Sequence, residues 1–197
     1  IDAVLSNAGG VIDRTFQKLS DEQWNEVLSV HLNGAYACLK AAWPHMVERR
    51  YGRIVITGSG AGLHGNYGQS NYAAAKAGLV GFAKALAVEG KRHHVAVNVL
   101  LPMALTDMSE SVFTAEMKQK LRVERVVPFA LALCHSDMHD TGLVIEAGGG
   151  WGGALRWQRA AGLALDDASL SVASVLASWS ELKNFETGSD YPRSVAD

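Results

Sequence analysis

The chain has 197 residues, 48% of them hydrophobic and 19% charged, which is enough for one substantial core and ordinary for a soluble globular protein. Eighteen basic against 20 acidic residues leave a net charge of −2. No basic run is long enough to track a phosphate backbone or an anionic membrane, so nucleic acid and membrane are excluded as expected partners.

The start, IDAVLSNAGG, shows neither a signal peptide nor an anchor, and it opens in mid-strand. A buried strand needs neighbours that nothing upstream supplies, so the sequence is expected to be truncated at its N-terminus. Ile1 to Leu5 is an apolar run ended by Ser6-Asn7-Ala8-Gly9-Gly10, which fits a parallel strand feeding a tight turn. Ser20 then opens a helix as N-cap, with Gln23 in the capping-box position. Trp24, Val27, Leu28, His31 and Leu32 give that helix an apolar-weighted face, and the pattern runs on toward Arg50. Asn33-Gly34 and Pro44 interrupt it, and a kink or break is expected between them. Cys38, here, and Cys134, further on, lack metal-ligand spacing and read as buried free thiols in a reducing compartment.

Arg53 to Thr57 is the second strand, followed by a glycine-rich loop and a helix reaching about Glu89. Val95 to Leu101 is the third strand, closed by Pro102. Ala115 to Cys134 is helical in composition, with Pro128 starting a new segment inside it. Thr141 to Ala147 is the fourth strand, ended by three glycines. Strands alternating with helices of this length mean βαβ units, hence an α/β fold on a parallel sheet. After Gly150 the character changes to a mixed tail carrying Trp151, Trp157 and Trp179 and one amphipathic helix near 170–183. The expected division is 1–150 for the α/β part and 151–197 for the tail.

The chemistry concentrates between Arg53 and Lys76. Tyr72 and Lys76 are four apart on a helix and share a face. A free Tyr has a pKa near ~10, and bringing it down by ~3 units takes roughly 4 kcal/mol. An ammonium ~4 Å away at an effective dielectric of ~20 supplies about that much. The tuned phenol can donate a proton to a carbonyl oxygen or take one from an alcohol. Ser59, on the loop facing it, can hydrogen-bond the same oxygen. By itself, a Tyr and a Lys at this spacing is more often a solvated helix face. Gly58, Gly60, Gly62, Gly65 and Gly68 can be read as a dinucleotide phosphate cradle, but a second turn intervenes before the helix and the next strand carries no acidic residue, so a flexible substrate loop is the preferred reading. The seven His show no metal spacing, and GSGAG is not a nucleophile elbow.

Asn7-Ala8-Gly9 after a strand, Asn33 in the following helix, Ser59, Tyr72-x-x-x-Lys76, and then Asn98 and Pro102 around a strand end together resemble the short-chain dehydrogenase/reductase superfamily. The resemblance implies a Rossmann-type doubly wound sheet, with Tyr72 as general acid/base and Lys76 lowering its pKa and holding the nicotinamide ribose. It also implies that Ser59 orients the substrate oxygen and Asn33 holds a relay water. Asn7, Ala8 and Gly9 would lie along the cofactor, and Pro102, Ala104, Leu105 and Thr106 would cover the nicotinamide side.

A narrower resemblance runs through SDEQWNEVLSVHLNGAYACLKAAWPHM, GNYGQSNYAAAKAGLVG, GGGWGGALRWQR and NFETGSDYPRSV. These segments are similar to the (3R)-hydroxyacyl-CoA dehydrogenases of the peroxisomal multifunctional enzyme type 2 group and its bacterial relatives. That implies NAD-dependent oxidation of (3R)-hydroxyacyl-CoA to 3-ketoacyl-CoA by a homodimer, with NADP not excluded. Ser6 and Met103 depart from the family pattern. The glycine-rich phosphate turn and the NAD-or-NADP selecting residue would lie before Ile1, leaving an uncovered sheet edge and an expectation that this chain alone is inactive. The alternatives are an NADP-dependent 3-oxoacyl or steroid carbonyl reductase, and a non-catalytic assembly module. The ending Ser194-Val195-Ala196-Asp197 is no peroxisomal signal, so cytoplasm is the expected location, or peroxisome in a eukaryote.

Overall fold

The computed structural model describes residues 1–106, 110 and 113–192. The terminal Ser194 to Asp197 lie outside the described residues. Five strands form one sheet in sequence order: β1 (Ala3–Ser6), β2 (Gly52–Thr57), β3 (Val95–Met103), β4 (Val144–Gly148) and β5 (Trp151–Leu155). The first four are parallel, as the βαβ reading requires. All six residues of β2 and the first seven of β3 are buried, which is why both read as unbroken apolar runs. β1 pairs with β2 alone among the described residues, and its side chains alternate between exposed and partly buried.

Alternation along the central strands sorts the core onto two faces. Ile54, Ile56, Val97, Val99 and Leu101 meet Leu39 and Met46 of α2 (Gly34–Arg49) and Leu79, Val80 and Ala83 of the long helix α4 (Ser70–Gly90). Val55 and Leu100 face the other way, onto Val126 and Leu133 of the segment around α6 (Val127–Cys134). Asn98, fully buried on β3, donates to Asp140 O at 2.9 Å and accepts from Leu143 N at 2.9 Å. It holds the chain entering β4, so its work here is structural.

Ser20 and Gln23 do form a reciprocal capping box at the start of α1 (Asp21–Leu28). The expected interruption at Asn33-Gly34 is a π-helical turn, Ser29–Asn33, through which α1 runs on into α2 without a break. Pro44 sits inside α2, whose C-cap Arg50 takes a left-handed conformation. The glycine-rich loop contains a one-turn helix, α3 (Ala61–His64), and Ala115 to Cys134 divides into α5 (Ala115–Lys120) and α6, with Pro128 near the start of α6.

Two expectations are corrected. β4 ends among the glycines, with Gly148 as its last residue, but the sheet continues: Gly149 and Gly150 take φ of 62° and 89° and turn the chain back into β5, antiparallel to β4. Two adjacent positive φ values are what a two-residue hairpin of the right twist needs, and glycine meets them without a Cβ penalty. The compact unit therefore ends at Leu155, and the boundary expected at 150 falls in the hairpin turn. Cys38 is exposed rather than buried, because it lies on the outward side of α2, and Cys134 is partly buried.

The second unit, from Arg156, is described by itself. Its expected single helix is two short ones, α7 (Val172–Ala177) and α8 (Trp179–Leu182), separated at Ser178. Ser171 and Ser174 cap α7 reciprocally, and Arg159 joins Asp190 through paired backbone bonds and an ion pair of 2.5 Å.

Candidate active site

The site lies beyond the carboxyl ends of β1, β2 and β3, where ligands of open parallel sheets bind. Two residues past β2, the Ser59 hydroxyl accepts from Ala61 N at 3.2 Å and is thereby anchored at the start of α3. The ladder ends at Thr57, whose carbonyl oxygen receives the Lys76 ammonium at 2.6 Å. Lys76 is 3% exposed, and burial pushes its pKa down to about 8. Gly62 makes that approach possible: a Cβ there would stand 2.7 Å from Ala77 N and 2.9 Å from the Lys76 Cβ.

Tyr72 is one helical turn before Lys76 on α4, with the Lys76 ammonium 5.5 Å from its ring centroid. Burial holds the phenol above its ordinary value, a hydrogen bond with Ser59 pulls it down, and the charge of Asp13 pushes it up again. The expected lowering by Lys76 is therefore not the dominant effect in this structure. The ammonium is committed to the Thr57 carbonyl, and removal of both groups from water costs more than their attraction returns.

Three expected residues, Ser59, Tyr72 and Lys76, are thus brought together. Asn7 lies exposed beyond β1 and accepts from the Thr57 hydroxyl at 2.9 Å, which ties the two strand ends. Ala8 and Gly9 follow it, exposed. Pro102 and Met103 extend β3 past its buried part and are exposed, and Leu105 N donates to Leu121 O at 2.6 Å, holding the segment with Ala104 and Thr106 against the end of α5.

Asn33, expected to hold a relay water, is exposed, whereas His31, two residues earlier, is 4% exposed and stands edge to face with Tyr72 at 5.1 Å between ring centroids and 83° between planes. The π turn adds a residue to the helical circuit, and the ordinary helical period fails to follow it. His31 was legible only as a member of an apolar face. Its signal was a histidine among Val and Leu one turn before a helix-breaking pair.

Asn71 was also missed. It is fully buried, accepts from Tyr72 N at 2.8 Å and donates to Ile12 O at 3.2 Å. With Arg14 N on Gly68 O at 2.8 Å and Gln69 Nε2 on Asp13 Oδ1 at 2.9 Å, it seats the loop after β1 on the start of α4. No group of His, Cys, Asp and Glu among the described residues has metal-site geometry.

The family profile described as short chain dehydrogenase matches residues 1–117. The chain belongs to the short-chain dehydrogenase family. Peroxisomal multifunctional enzyme A of Dictyostelium discoideum is 40% identical over 197 residues, which is 100% of this chain and 44% of that protein. The peroxisomal hydratase-dehydrogenase-epimerase of Neurospora crassa is 37% identical over 200 residues, covering 100% of this chain and 22% of that protein. The full-length peroxisomal multifunctional enzyme type 2 of Drosophila melanogaster superposes with a TM-score of 0.89 at 35% identity, over 98% of this chain and 35% of that one. The chain thus spans less than half the length of these relatives.

The sheet is the Rossmann-type sheet of short-chain dehydrogenases, a family whose fold implies a nicotinamide nucleotide as cofactor. The residues present fit the nicotinamide end of such a nucleotide. Gly9 leaves bare, exposed backbone beyond β1, Ser59 follows β2, the strand between β1 and β3, and Pro102 and Met103 are exposed at the end of β3. Among the described residues no helix is long and apolar enough to cross a membrane.

Proposed function

We propose that the chain carries the catalytic half of an NAD-dependent dehydrogenase that oxidises the secondary alcohol of a (3R)-hydroxyacyl-CoA to the 3-ketoacyl-CoA in fatty-acid β-oxidation. The observation that carries this reading is the convergence of Ser59, Tyr72 and Lys76 at the sheet's carboxyl edge, in a chain whose alignment with peroxisomal multifunctional enzymes extends through its tail. When bound, the nicotinamide supplies the hydride acceptor.

Tyr72 accepts the proton of the alcohol, and Ser59 holds the same oxygen through its hydroxyl while it becomes a carbonyl. Lys76 keeps a positive charge beside the phenol and, from its seat on Thr57, is placed to meet the ribose. Asn7, Ala8 and Gly9 line the nucleotide on one side and Pro102, Ala104, Leu105 and Thr106 on the other. The working assembly is a homodimer, in the peroxisome of a eukaryotic host or the cytoplasm of a bacterial one. The relatives named peroxisomal support the first location.

The test is steady-state turnover by the intact protein of (3R)- and (3S)-hydroxyacyl-CoAs of short and long chain with NAD and with NADP, set against 3-ketoacyl and steroid ketones with NADPH. The expected result is (3R)-selective oxidation with NAD. Preference for a steroid or a carrier-protein ketone with NADPH would sink the reading.

A further inference from the structure

We propose that His31 is a positioning residue of the reaction: one imidazole fixes the Gly9–Gly10 turn and the Tyr72 ring against each other, so that a single side chain aligns the nucleotide-lining backbone with the proton-carrying phenol. The inference rests on the reading of Tyr72 as the group that moves the proton.

The geometry is specific to an imidazole. His31 reaches across 21 residues of sequence to Gly10, with Nε2 2.7 Å from the carbonyl oxygen and 3.3 Å from the backbone N. One nitrogen cannot donate and accept at once, and the shorter contact assigns the proton to Nε2, donating to Gly10 O. Nδ1 is then a bare acceptor, and it is buried with no hydrogen-bond partner among the described residues. An apolar side chain would fill the same space without that standing cost, so core packing alone does not account for a histidine here.

The ring also leaves no room beside it. A Cβ on Gly9 would overlap His31 Cε1 and lie 2.6 Å from Nδ1, so the backbone of the turn rests directly against the Cε1 corner of the imidazole. From α4, Tyr72 meets the ring edge to face and Lys76 adds a nearby positive charge; from the turn come only neutral backbone groups. Burial first, and then Lys76, press His31 toward its neutral form, against the pull of the Gly10 carbonyl. A neutral ring keeps the Nε2–H bond and adds no second cation beside Lys76. A tilt of the π turn therefore moves the Gly9–Gly10 backbone and the phenol together, and misplacement of either by about 1 Å costs as much as 100-fold in rate.

The test uses the intact protein with His31→Phe, which keeps a ring and removes the donor, and His31→Asn, which restores a short donor. NADH affinity is read by fluorescence without substrate, kcat and KM by turnover, and the imidazole itself by two-bond proton–nitrogen spectra. The wild-type ring is expected to be neutral and Nε2-protonated between about pH 7 and 9. His31→Phe is expected to weaken NADH binding about tenfold and lower kcat about tenfold, with acyl-substrate KM within about twofold, and His31→Asn to recover most of both.

An Nδ1-protonated or charged ring at neutral pH overturns the proposal. So does a folded His31→Phe with unchanged NADH affinity and kcat; where His31→Phe does not fold, a folded His31→Asn no better than His31→Ala overturns it equally. Should the wild type bind NADH yet leave hydroxyacyl-CoA untouched, the substrate assignment fails, and the spectra and NADH affinities still decide the role of His31.

Discussion

The Lys76 ammonium donates to the carbonyl oxygen of Thr57 at 2.6 Å, so the last residue of a buried strand, rather than the neighbouring phenol, is its nearest partner. Burial leaves its pKa at about 8 against 10.5 for the unfolded chain. Between those values the unfolded state binds more protons, so stability rises with pH. The penalty, on the order of 3 kcal/mol, is fully present below about pH 8 and is relieved as pH approaches 10.5. Urea unfolding of wild type and Lys76→Met from pH 7 to 10 measures this. The wild type should gain on the variant as pH rises, and a constant difference would mean that the ammonium is not desolvated.

Tyr72 is held above its ordinary pKa by burial, so near neutral pH it carries its proton. Alcohol oxidation requires the deprotonated phenol, whereas carbonyl reduction requires the protonated one. Oxidation should therefore speed up with rising pH and reduction slow down. Tyr72→Phe should lose about 10² to 10⁴-fold in kcat while NADH affinity and melting temperature stay near wild type. A Phe variant that retains alkaline-activated oxidation would remove Tyr72 from the chemistry.

Gly62 and Gly60 make a matched pair of tests on one loop. A methyl at Gly62 meets the backbone of α4 at 2.7 Å, and no rotamer change can relieve a clash with main chain. Gly62→Ala should cost about 1–3 kcal/mol and, by shifting Lys76 from Thr57, reduce turnover. At Gly60 the nearest atom is 4.0 Å away, so Gly60→Ala should unfold within about 0.5 kcal/mol of wild type. Equal denaturation midpoints for the two would contradict the close α3–α4 approach.

Arg53 is 4% exposed at the start of β2, far along the strand from Ser59. Its guanidinium donates to four carbonyls: Gly52, His94, His135 and Ser136, at 3.0, 3.4, 3.1 and 2.7 Å. Arg53→Met should cost about 3 kcal/mol by leaving buried acceptors unpaired, with kcat unchanged below the melting transition. Thermal unfolding alongside turnover checks it. A loss of kcat without a loss of stability would place Arg53 in the reaction.

Local chemistry was readable from the chain itself. Ser20 and Gln23 cap α1 as their spacing requires, the unbroken apolar runs of β2 and β3 are the buried centre of a parallel sheet, and Tyr72 and Lys76 share a helix face because four residues make about one turn. The glycines at 149 and 150 were visible too, but whether a glycine pair stops a strand or reverses it depends on the partner that β5 finds in β4.

What only the tertiary structure decided are the relations that cross elements. The sequence determined which side chains could move a proton. Packing determined that Lys76 is held by Thr57, that Tyr72 is raised rather than lowered, and that His31 meets the phenol ring edge to face. Each of these turns on burial, or on the one extra residue of a π turn. Desolvation is a property of everything packed around a group, and a period of 3.6 residues cannot reveal where a helix departs from it.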